Sequence, residues 1–166
     1  PQPIEKNLSK QNLQNKVEST NNNITPNITA SVETKIISRK DSINKVDRVK
    51  IENNNIIGSI SLKGGLIDDV SFKKHKQNLD DDKNIIFLNP KETENGFFVE
   101  TGWTSIGNEI KTPSVNSIWS VVGNNILGVN QPITLQWKNG KGIIFKKIIE
   151  LDEKYLFKIS QKVENN

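Results

Sequence analysis

Cysteine is absent from the 166 residues, which excludes disulfides, thiolate metal sites and a cysteine nucleophile. That absence leaves the redox compartment unread. Methionine is absent as well, so the chain is expected to be an excised, processed or partial piece. Histidine occurs once, at His75, and chemistry that needs a pair of imidazoles has no material here. Long apolar runs are also missing: a bilayer span needs ~20 consecutive apolar residues, and the longest pieces are short stretches such as residues 85–88 and 142–145. Aromatics are few, ten in all, and they lie between Phe72 and Phe157.

The stretch before residue 46 holds no aromatic residue and is rich in Asn and Lys. Its apolar residues are isolated and follow neither a two-residue nor a 3.6-residue period, which reads as a flexible linker. We therefore expect residues 1–45 to be a disordered linker and residues 46–166 to be one domain. Three Asn-x-Ser/Thr triplets, at Asn7, Asn23 and Asn27, fall in this tail, where an Asn-rich composition produces such triplets by chance. The formal charge of +4 also belongs largely to the tail, which has seven Lys/Arg against four Asp/Glu and leaves 16 against 15 elsewhere. Nucleic-acid binding needs clustered positive charge on one face. The one local cluster, Lys73, Lys74 and Lys76, is answered by Asp80, Asp81 and Asp82, so no nucleic-acid partner is expected.

From residue 46 the texture becomes short β-branched and aromatic runs punctuated by Gly, Asn, Asp and Pro, the pattern of an antiparallel all-β domain. Ile60 and Leu62 alternate with Ser59 and Ser61, Gly64-Gly65 reads as a turn, and Val70 and Phe72 share the core face of the next strand. Residues 85–88 and 96–100 are short strand candidates, and 103–117 is mostly loop. Ile133, Leu135 and Trp137 alternate with Thr134, Gln136 and Lys138 ahead of Asn139-Gly140, a strong hairpin signal. Residues 143–151, a turn at Asp152, and a last strand bearing Tyr155, Phe157, Ile159 and Val163 complete a three-stranded meander. The last strand would leave an unpaired sheet edge, and the domain is expected to continue beyond Asn166.

Several ordered blocks resemble the periplasmic domain of bacterial YidC-type membrane protein insertases. They comprise Gly58 to Leu62, Gly64, Ile67 to Val70, Leu88 to Pro90, Phe97, Phe98, Gly102 and Trp103. Further on come Pro132 to Trp137, Asn139, Gly140, Gly142, Phe145, Ile149, Asp152, Tyr155, Phe157 and Ile159. The resemblance covers residues 46–165 and implies an all-β, antiparallel β-supersandwich similar in fold to galactose mutarotase. It implies a bacterial inner-membrane protein with this domain on the periplasmic side. It also implies as partners nascent membrane proteins and subunits of the Sec translocon, with membrane contact made through segments absent from this chain. The family's insertion chemistry resides in a membrane groove, so the resemblance assigns no catalytic, cofactor-binding or metal residue to any position here.

The rival reading is a carbohydrate-binding or aldose-epimerase-like sandwich. Epimerase chemistry ordinarily needs two His and a carboxylate, and lone His75 lies in an exposed lysine run, so we expect no enzyme activity. Asp68 and Asp69 are expected to point to opposite faces of a strand and not to line one site, while Asp80, Asp81 and Asp82 read as a solvated loop. Trp103, Trp119 and Trp137 could stack on a sugar ring, but core packing is the commoner use of buried indoles, and Trp137 is in phase with Ile133 and Leu135.

Overall fold

The computed structural model describes residues 36–80, 82–107 and 109–165. The expected disorder before residue 36 and the three Asn-x-Ser/Thr triplets lie outside the described residues. Nine strands follow one short helix, α1 (Arg39–Asn44). They are β1 (Arg48–Glu52), β2 (Ile56–Ser61), β3 (Leu66–Lys76), β4 (Asn84–Leu88), β5 (Ser120–Val122), β6 (Ile126–Leu127), β7 (Ile133–Lys138), β8 (Ile143–Leu151) and β9 (Phe157–Asn165).

The strands form a five-stranded sheet in the order β4-β3-β2-β1-β6 and a four-stranded sheet in the order β5-β7-β8-β9. The pairings are antiparallel except β1 with β6, a two-residue parallel contact. Alternation explains how the sheets face each other. Val49, Ile51, Ile56, Ile60 and Val70 from the larger sheet meet Ile133, Leu135, Phe145, Ile149 and Leu151 from the smaller one in a single buried cluster. Inner-face side chains of two sheets interdigitate in this way in a β-sandwich. The all-β antiparallel sandwich read from the sequence is the fold observed.

The β7–β8 hairpin forms as expected, with Trp137 opposite Phe145 and Lys138 opposite Ile144, three residues out from the pairing a two-residue Asn139-Gly140 turn would give. Gly140 takes the expected positive φ of 78°. The connection is wider than a two-residue turn, because Asn139 Oδ1 accepts from the backbone N–H of Lys141 and Ile143, and Gly142 supplies a second positive φ. An Asn side chain that bonds the backbone two residues on builds its own turn.

Two expectations are corrected. Residues 96–100 do not form a strand. Phe97 and Val99 make only isolated bridges to Asn89 and Ile67, and the chain around them is held by Pro90 and Thr93 turns. The boundary at residue 46 also falls too late, since α1 belongs to the same compact unit as the strands. The physical reason is local capping and charge. Ser38 Oγ accepts from the Asp41 N–H as an N-cap, Ser42 is buried, and the Ile37 N–H donates to Glu92 O. A polar helix without aromatics shows no apolar period, so periodicity alone misses it.

Candidate functional site

Three arrangements of polar or aromatic side chains stand out from the core. The first sits under α1. Ser59 pairs with Asp69 and Ile60 with Ile67, so Asp68 is an extra residue in β3, a β-bulge. The bulge defeats the alternation from which Asp68 and Asp69 were expected to face apart. Both are buried, and both enter one network: Asp68 pairs with Arg48 and Asp69 with Arg39. Ser59 Oγ links the two halves, accepting from Arg48 Nε at 2.7 Å and donating to Asp69 Oδ2 at 2.6 Å. Burial pushes the Asp68 carboxyl up from its ordinary value, and Arg48 opposes that shift. With each carboxylate bound to its own guanidinium, this network ties α1 to the sheet and offers no facing acid and base.

The second arrangement joins the sheets. Lys147 lies on the inner face of β8, in phase with Phe145, Ile149 and Leu151, and is 1% exposed. Its ammonium donates to the carbonyls of Gly64, Gly65 and Thr101, at 3.3, 3.3 and 2.7 Å. It also sits 4.9 Å from the Trp119 ring centroid, a cation–π contact. Burial lowers its pKa to about 8. The sequence reading passed over this residue. The signal was its parity, since every second residue from Phe145 to Leu151 faces the core. The indoles turn inward here too: Trp103 stacks on Trp119, Trp119 is 2% exposed, and Trp103 and Trp137 both pack on Phe145. Trp103 and Trp137 stay half-buried, each giving part of its ring to this packing.

The third is an apolar cleft of about 430 Å³ at the opposite end of the sandwich, walled by Phe72, His75, Ile85, Phe87, Tyr155 and Phe157. His75 is exposed, as its lysine-rich setting suggested, with its Nε2 3.4 Å from Tyr155 Oη and its ring edge-on to Phe72. No carboxylate is bonded to it among the described residues. The flanking Lys73 is held by Glu52 and by the Asn53 carbonyl, and Lys76 by the Asp82 carbonyl. Among the described residues no three His, Asp or Glu side chains are grouped to hold a metal ion.

Residues 48–166, which take in all nine strands, match the family model described as the YidC periplasmic domain. The chain belongs to that family. It is 39% identical over its whole length to a membrane protein insertase YidC from Pelagibacter ubique, of which it covers 29%. A YidC from Rickettsia canadensis is 42% identical over 74% of this chain, covering 22% of that protein, and one from Cereibacter sphaeroides is 37% identical over 86% of this chain, covering 23%. The chain thus spans under a third of the relatives it matches. No solved structure matches it. Membership of this family places the domain on the periplasmic side of the bacterial inner membrane. No helix among the described residues is long and apolar enough to cross a membrane.

The family-like blocks coincide with the structural joints. A Cβ on Gly58 would lie 1.9 Å from the Asp69 carbonyl oxygen, Gly64 and Gly65 hold positive φ beside Lys147, and Asp68 and Asp69 anchor the arginines. The motif residues build the sandwich.

Proposed function

We propose that this chain is part of the periplasmic domain of a membrane protein insertase that helps insert, fold and assemble inner-membrane proteins, alone or with the Sec translocon. Its own role is that of a non-catalytic interaction and structural module. The observation that carries this reading is the family match across every strand of the sandwich. The side-chain chemistry supports the same view: the buried carboxylates are bound to arginines, the buried ammonium is bound to carbonyls, and the lone imidazole faces a phenol. A general acid and base facing a common substrate position would be needed for epimerase or glycosidase work.

The test is photocross-linking in living bacteria from the whole protein that carries this domain, with the probe at Phe97, Ile118 or Leu156, all exposed apolar positions. Adducts with nascent inner-membrane proteins or translocon subunits are expected. If every position yields only solvent-quenched probe while insertion proceeds normally, the interaction role fails.

A further inference from the structure

The connection between β4 and β5 runs from residue 89 to 119 and is tied by bridges at Asn89, Phe97, Val99 and Ile118. Between the last two of these no bridge is found among the described residues. Structureless connections this long inside a compact domain are uncommon and usually functional. Ile106 on this loop is 98% exposed, and Ile110 is exposed as well. The loop folds against the β7–β8 hairpin: Ile110, Lys111 and Lys141 line one shallow depression with Trp103, and the Lys111 ammonium lies 5.9 Å over the Trp137 ring. Lys138 ends β7 on the face of the sheet opposite Trp137, and Lys111, Lys138 and Lys141 are all exposed with no ion pair among the described residues. Of the acids near this end, Glu164 is bound by Lys146 at 2.6 Å, Glu109 lies beside the depression, and Glu100 lines the adjoining one.

We propose that this end of the sandwich, the loop bearing Ile106 and Ile110 together with Lys111, Lys138 and Lys141, docks on an anionic phospholipid surface. Ile106, which projects fully into solvent, gains nothing from the fold that holds it, and Ile110 keeps nearly half of its surface exposed. They gain burial when pressed into the boundary between headgroups and acyl chains. The ammonium groups of Lys111 and Lys141 beside Ile110, with Lys138 at the same end of the sheet, match lipid phosphates, and each such charge near an anionic membrane contributes about 1 kcal/mol. A protein partner would instead use the neighbouring hollow lined by Trp103, Pro113, Val115 and Trp119, and lipid-independent behaviour of the lysine and Ile106 variants would point to it. The proposal rests on the periplasmic, membrane-adjacent placement of the domain, and it adds a membrane contact made by the domain itself.

The experiment is flotation of the whole chain with vesicles of mixed phosphatidylglycerol and phosphatidylethanolamine, against vesicles of phosphatidylcholine alone, at low and high salt. Binding to the anionic vesicles that weakens with salt is expected. Replacing Lys111, Lys138 and Lys141 by Ala should weaken it roughly fivefold per lysine, on the order of a hundredfold together, the equivalent of ~1 kcal/mol each. Ile106→Asp should weaken it several-fold without moving the thermal midpoint, whereas Lys50→Ala with Lys158→Ala, elsewhere on the sheets, should not. The tail before residue 46 is itself basic. Wild-type affinity retained by the triple variant would assign binding to that tail and overturn the proposal, as would equal affinity for the neutral vesicles or no vesicle binding at all. Cross-links to proteins in cells could persist through each of those failures, so the insertase reading is tested separately.

Discussion

Two glycines separate two different reasons for having no side chain. Gly58 lies in β2 where the bulged β3 comes so close that a Cβ would meet the Asp69 carbonyl oxygen at 1.9 Å. Gly140 has nothing within 4 Å, and only its positive φ resists a side chain. Gly58→Ala must push backbone apart and should destabilise by about 3 kcal/mol, the upper range for overpacking. Gly140→Ala should lose only about 1 kcal/mol, the local penalty for an L-residue in left-handed backbone. Gly140→Val adds β-branch crowding and should reach about 1–3 kcal/mol. Lys138→Ala, on the exposed face beside the same turn, should leave stability nearly unchanged. Urea unfolding midpoints rank the four variants, and a Gly58→Ala midpoint no lower than that of Gly140→Ala would contradict the close approach of β2 and β3.

The legible and illegible elements differ by whether one local rule decides them. The existence of the β7–β8 hairpin was readable because strict alternation and Asn-Gly agree, but its register was not, because the Asn139 side chain widens the turn and sets Trp137 opposite Phe145. The β3 bulge was not readable, because one inserted residue reverses the face of Asp68 without any mark in its own sequence. The short strands β5 and β6 are set by the partners they meet, and two or three residues carry no period. Helix α1 was hidden because its contacts are polar: Arg39 reaches Asp69 and Ser71, and Glu92 receives Ser42 and Lys45. That reading makes α1 separable. Arg39→Ala removes the partner of a buried carboxylate, and since the Arg39 side chain is 29% exposed the loss should be moderate, about 1–3 kcal/mol. Hydrogen exchange should speed up selectively at the amides of Ser42 and Lys45 and at Ile37, with β7 to β9 unaffected. Uniform acceleration across both sheets would show that α1 is part of the cooperative core and not a strap laid on it.

At the scale of the whole sandwich, Lys147 is a cross-brace, fixed on the smaller sheet and donating into the β2–β3 turn of the larger one and into the Thr101 carbonyl. Its burial has a consequence for stability against pH. The folded protein holds this amine at a pKa of about 8, below the ordinary 10.5 that the unfolded chain restores. Below pH 8 both states are protonated, and the folded state bears the full desolvation penalty of the ammonium. Between pH 8 and 10.5 the folded state has released a proton that the unfolded state still binds, so unfolding takes up protons and stability rises with pH. Above 10.5 the contribution is level. The readout is the difference between the wild type and Lys147→Met, a change that keeps the length and apolar stem while removing the charge. Guanidinium unfolding at intervals from pH 7 to 11 should show the wild type gaining on the variant between pH 8 and 10.5, whatever their order at pH 7, where three carbonyls left without a donor weigh against the relieved burial of charge. A constant difference across that window would mean that the amine stays solvated in the folded protein, and the brace between the two sheets would then have to be sought in the Trp103, Trp119 and Phe145 stack alone.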